Sequence, residues 1–175
     1  MNMPAGFHTV LDTFKKNGWN FQAVEGQPFL NAHFSGCHGT FRLTLAVDEP
    51  DDLVQIFGFV PLLVPPHMLP AISELCIRLS WNLKLGRFEL DHARGQLRFH
   101  LSSAYRPGDL SENVVGRLVG LSLLMVDQHF PAFVAVLYVG QSPQQAAEQV
   151  RARLVNGKSG ASSLETQPPA RTSLN

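Results

Sequence analysis

The hydrophobic patterning of this 175-residue chain predicts an α+β domain, an antiparallel sheet with helices packed on it. Segments with helical spacing and segments that alternate follow one another in the order α-β-β-β-β-α-β-β-α-α-α. The strands are joined by short Gly- and Asp-containing turns, which suit hairpins rather than the long crossovers of a parallel sheet. A composition of 45% hydrophobic and 16% charged residues supplies a packed core and argues against disorder.

The elements follow in order. Phe7, Val10, Leu11 and Phe14 recur at helical spacing over 7–17, Lys15 and Lys16 complement the dipole in the last turn, and Gly18 stops the helix. Trp19, Phe21 and Ala23 share one face of a first strand, and Leu30, Ala32 and Phe34 share one face of a second over 29–35. Beyond the Gly36-Cys37-His38-Gly39 turn, Phe41, Leu43, Leu45 and Val47 point inward while Thr40, Arg42 and Thr44 point out. An acidic turn over 48–52 precedes 53–60, apolar on both faces apart from Gln55, so this strand is expected to be covered on both sides or to lie at an interface.

Pro61, Pro65 and Pro66 lead into a second helix with Met68, Ile72, Leu75, Cys76, Leu79 and Leu83 on one stripe and Gly86 as its stop. Phe88 and Leu90 then alternate against Leu97, Phe99 and Leu101 in a hairpin, in a register that sets either Glu89 or Asp91 opposite Arg98. Asp109 and Glu112 read as a capping box for a third helix running to about Gln128, apolar around most of its circumference and therefore central. His129 and Pro131 restart the chain as a shorter helix ending at Gly140. Ser142, Pro143 and Gln145 cap a last helix with Ala146, Ala147, Val150 and Leu154 on its stripe. One domain is expected over 1–155, with 156–175 a disordered, Gly/Ser/Thr/Pro-rich tail.

Charge narrows the function classes. Fourteen basic against fourteen acidic side chains leave no basic field for a nucleic-acid partner. Cys37 and Cys76 form no disulfide framework, and no basic start followed by an apolar run opens the chain, so a reducing, cytoplasmic location is expected. Residues 114–139 are apolar and long enough to span a bilayer. Arg117, Asp127, Gln128, His129 and Pro131 interrupt them, however, and predict two buried helices rather than a membrane segment.

Motifs for chemistry are sparse. Gly157-Lys158-Ser159 lacks the preceding glycine and strand of a phosphate loop. His33, Cys37 and His38 cluster around one turn and are suitable soft-metal ligands. They lack a fourth group unless His92 or His100 supplies it, so a solvent-facing His beside a half-buried Cys is the simpler reading and no metal is expected. Glu89 and Asp91 read as part of a surface ion-pair ladder with Arg87 and Arg98. On the third helix, Gly116 and Gly120 lie one turn apart beside Asn113 and Arg117, which predicts either a seam for a partner or second copy, or close packing on the sheet.

Val64-Pro65-Pro66, the run Leu79-Ser80-Trp81-Asn82-Leu83-Lys84-Leu85-Gly86-Arg87-Phe88-Glu89-Leu90-Asp91 and Gly95-Gln96-Leu97-Arg98-Phe99 resemble the YbjN family, bacterial proteins labelled sensory transduction regulators. So do His129-Phe130-Pro131-Ala132-Phe133 and Val139-Gly140-Gln141-Ser142-Pro143-Gln144-Gln145-Ala146, and the resemblance spans about residues 7–155. It implies an α+β fold similar to type III secretion chaperones, small and usually dimeric proteins that bind an extended partner segment. It brings no catalytic residue and no cofactor. The neutral charge departs from those chaperones, which are typically acidic.

The expectation is a non-enzymatic protein-binding module with a regulatory or chaperone-like role, acting as a homodimer on a protein partner. Phe57, Phe59, Trp81, Asn113, Gly116, Arg117 and Gly120 are its candidate interface. The alternative is a small-ligand-binding sensor with a pocket between sheet and helices.

Overall fold

A computed structural model describes residues 4–106 and 108–160, the last five of them in backbone only. Six antiparallel strands form one sheet in the order β1-β2-β3-β4-β6-β5: β1 (Phe21–Ala23), β2 (Phe29–Ser35), β3 (Thr40–Asp48), β4 (Leu53–Leu63), β5 (Arg87–Asp91) and β6 (Gln96–Ala104). Four α-helices complete the domain: α1 (Ala5–Lys16), α2 (Leu69–Ser80), α3 (Glu112–Val134) and α4 (Pro143–Gly160). The chain is an α+β protein, with its helices gathered on one face of the sheet.

The period-2 pattern decides which face they cover. Leu30 and Ala32, Phe41 to Val47 in alternation, Val54, Ile56 and Val60, and Leu97, Phe99 and Leu101 are all at most 3% exposed and line the inner face. α1 seats Phe7, Val10 and Phe14 there, and Phe14 meets Phe21 and Phe34 edge-on at 5.6 and 6.3 Å. α3 crosses the middle strands. Gly58 of β4 marks its closest approach, since a Cβ there would lie 2.6 Å from a Val126 methyl carbon.

Several element ends differ from the expected ones, each for a local reason. α2 ends at Ser80, so Leu83 lies beyond it, and Gly86 belongs to the entry of β5 instead. With φ of 73° and the Phe99 ring against its Cα, that position excludes a side chain. Ser111, rather than Asp109, caps α3 by accepting from the Val114 N–H at 3.4 Å, and Glu112 becomes the first helical residue. The expected break at 129–131 is also absent: α3 runs through Pro131 to Val134 and passes into a π-turn over Ala135–Val139 that closes at Gly140. Pro131 removes one helical hydrogen bond, while Ala132, Phe133 and Val136, at most 3% exposed, hold the next turn in the core.

α4 begins with the expected reciprocal cap, Ser142 Oγ accepting from Gln145 N–H and Gln145 Oε1 from Ser142 N–H. It continues to Gly160, past the expected boundary at 155. The rest of the expected tail, 161–175, lies outside the described residues. In the hairpin, Glu89 pairs with Arg98 and Asp91 with Gln96. Asp91 instead accepts from the Ala93 and Arg94 N–H groups and closes the turn.

Candidate functional site: the open face of the sheet

The helices leave the second face of the sheet uncovered among the described residues. Register aligns its outward side chains in cross-strand rows. One row runs His33, Arg42, Phe59, Arg98, Glu89, and the next runs Asn31, Thr44, Phe57, His100, Arg87. Strand 53–60 is therefore covered on its inner face alone, and its outer phenylalanines are half-buried by neighbouring side chains.

Those neighbours are cations. The Arg42 guanidinium lies over Phe59 at 3.8 Å from the ring centroid, and Arg98 lies over Phe57 at 4.5 Å. Such contacts contribute about 0.5–1 kcal/mol each at exposed positions. The His100 ring also lies against Phe57, its centroid 4.6 Å away. Glu89 ties the rows together, taking Arg98 and Arg87 at 2.7 Å and the His100 Nδ1–H at 3.1 Å. Burial would raise the Glu89 carboxyl, but the hydrogen bonds from His100 and Arg98 and the Arg98 charge outweigh it and hold the group below its usual value.

Within these two rows Arg42, Arg87 and Arg98 outnumber Glu89, while Asp48 and Asp91 share the outer face at the ends of β3 and β5. Beyond Phe59 the β4–β6 register shifts around Pro61, and the face continues into an open cleft of about 510 Å³. His33, Arg42 and Arg94 line that cleft, and no carboxylate does among the described residues. A planar guanidinium lying on a phenyl ring still presents its N–H edge. Arg98 gives its Nε and Nη2 to Glu89, so the N–H edge left for bidentate carboxylate recognition beside the apolar area is that of Arg42.

The candidate interface residues do not form one surface. Phe57 and Phe59 lie on the open sheet face. Asn113, Gly116, Arg117 and Gly120 lie on the side of α3 turned away from the sheet, across the molecule. A Cβ built on Gly116 or Gly120 would meet nothing within 4 Å, so neither glycine serves close packing inside the fold. Trp81 stands apart at the end of α2, 82% exposed, near the 68%-exposed Ile77.

Sequence reasoning missed the arginines of this face as a group. Their outward parity was visible, but register alone places Arg42 beside Phe59 and Arg98. It also missed Asp127, which the polar break in the third helix concealed. The Asp127 carboxylate accepts from the Cys37 and His38 N–H groups at 3.0 and 2.7 Å and lies 3.4 Å from the His38 ring. The 36–39 turn is thereby pinned to α3. Among the described residues, no three His, Cys, Asp or Glu side chains come together as a metal-binding set. Phe7, Phe14, Phe41, Phe99 and Phe133, each fully buried, fill the space between sheet and helices, where the alternative expectation put a ligand pocket.

No curated protein matches the chain. A chain in the solved structure of the HopA1-SchA chaperone-effector complex is similar at 19% identity and a TM-score of 0.47, over 68% of this chain and 90% of that one. Residues 8–135 match the model of a family described as "Putative bacterial sensory transduction regulator". The run 139–146, which carried part of the resemblance, lies beyond the matched residues. With nearly three quarters of its length matched, the chain belongs to the YbjN family.

Proposed function

We propose that this protein is a non-enzymatic polypeptide-binding module with a regulatory role, docking an acidic, partly apolar segment of a protein partner on its open sheet face. The observation that carries the reading is the phenylalanine–arginine face itself, where Phe57 and Phe59 lie under Arg98 and Arg42, Glu89 engages Arg98, and Arg42 makes no ion pair among the described residues. Arginine and aromatic side chains are the types that dominate binding energy at protein interfaces. The family description as a regulator supports the same direction.

A homodimer built on α3 belongs to this proposal. Gly116 and Gly120 are open to solvent, and two helix-interior glycines cost about 1 kcal/mol each relative to alanine unless something uses the space. A cytoplasmic setting fits a chain whose cysteines are both free.

A photocrosslinking residue at position 59, compared with one at the exposed His8, tests the docking face in cells that express the protein. Discrete adducts at 59 that vanish in an Arg42→Glu/Arg98→Glu background are the expected result. Equal labelling at both positions would overturn the reading. For the dimer, light scattering should give twice the chain mass for the wild type and a lower mass for Gly120→Leu.

A further inference from the structure

A second cavity, of about 710 Å³, opens between α3, the end of α4 and the loop 81–86, on the helical side of the molecule away from the phenylalanine–arginine face. Its volume falls within the range of about 300–1,000 Å³ usual for small-molecule sites. The walls are aliphatic: Leu83, Leu85, Leu121, Leu124, Met125 and Leu154. Leu85 and Leu124 are 56% and 46% exposed, an unusual degree for neighbouring leucines, and no element covers them among the described residues.

The polar lining comprises the neutral amides Asn82 and Gln128, two cations and a histidine. Lys84 and Arg153, both exposed, line the rim, and neither makes an ion pair among the described residues. No aspartate or glutamate lines the cavity among the described residues. His129 contributes to its floor at 2% exposure. The His129 Nδ1–H donates to the Met125 carbonyl at 2.7 Å, which leaves Nε2 as a lone-pair acceptor with no partner among the described residues. Burial holds the ring below its ordinary pKa, so it is neutral near pH 7. The buried, neutral His129 brings no cation to pair with a carboxylate, whereas the rim, with two cations, attracts one. The polarity therefore sets the orientation of an occupant: apolar body inward, anionic head at Lys84 and Arg153.

We propose that this cavity binds an amphipathic small molecule with an apolar body and an anionic head, the class of a medium-chain carboxylate. The site is independent of the sheet-face reading, and neither needs the other.

Isothermal titration of the full chain with monomeric dodecanoate, below its micelle concentration, tests it. The expected result is saturable binding at one site per chain, weakened at least about tenfold by Lys84→Glu/Arg153→Glu and abolished by Leu124→Trp, which fills the cavity from its exposed side. Both substitutions fall at exposed positions, and circular dichroism checks that the variants fold. Dodecylamine, with the charge reversed, should bind the wild type at least about tenfold more weakly than dodecanoate. A flotation arm with phosphatidylglycerol vesicles distinguishes a free amphiphile from a lipid-borne one. Vesicle retention without dodecanoate binding would place the interaction on a membrane surface and overturn the proposal. So would equal affinity for the amine, binding indifferent to Leu124→Trp, or no binding together with a change of oligomeric mass in Leu124→Trp, which would make the cavity a seat for a second copy.

Discussion

Replacing Asp127 should uncouple the 36–39 turn from α3, and the size of the effect follows from which oxygen bonds which amide. Oδ2 accepts from Cys37 N–H at 3.0 Å and Oδ1 from His38 N–H at 2.7 Å, with the carboxylate side chain 10% exposed. Hydrogen bonds to a charged group contribute about 1.5–3 kcal/mol each, and here water reaches Cys37 once the turn relaxes, so Asp127→Ala is expected to cost about 2–4 kcal/mol in total. Asp127→Asn keeps the shape but has one acceptor oxygen for two donors and no charge, so about half that loss is expected. Urea denaturation measures both values, and for a chain of this length the alanine variant should melt about 5–15 °C lower. Hydrogen exchange locates the effect, since the Cys37 and His38 amides should lose protection in both variants while those of β4 keep theirs. A loss below about 0.5 kcal/mol in the alanine variant, with both amides still protected, would refute the account of how the turn is held.

Three further outcomes follow from the packing. Cys37 is exposed, while burial pushes the Cys76 thiol up to about 12, so one thiol should react with a disulfide reagent in the native protein and both in denaturant. Gly58→Ala should destabilise by about 1–3 kcal/mol in urea titration, because its Cβ would sit 2.6 Å from Val126 and 3.2 Å from Leu43; at an uncrowded strand position the same change would stabilise. Burial lowers the His129 pKa against the opposing hydrogen bond to Met125, so the unfolded chain takes up that proton first as pH falls. Stability should therefore decline from about pH 6.5 downward until the folded-state value is passed, and His129→Leu should flatten that slope.

Much of the fold was legible because its signals are local. Alternation in 40–47 and helical spacing in 7–14 each need only the neighbouring residues, and the Ser142–Gln145 cap spans a single turn. The misplaced boundaries share the opposite property. Pro131 reads as a break by local rules, yet the helix passes through it because Phe133 and Val136 are held by contacts distant in sequence. Gly86 reads as a helix stop, yet the neighbour that demands glycine there is Phe99, on another strand.

By itself the amino-acid sequence determined the α+β class, the order of its elements as far as the third helix and which side chains of every strand but β4 face inward, since these depend on periodicity along the chain. Only the tertiary structure decided what the outward side chains do. Register across β2, β3, β4, β6 and β5 puts arginines over phenylalanines, and α3, α4 and the loop 81–86 enclose leucines beneath two cations. Both surfaces are made by residues tens of positions apart. Their meeting depends on strand pairing and helix packing, which no local pattern encodes.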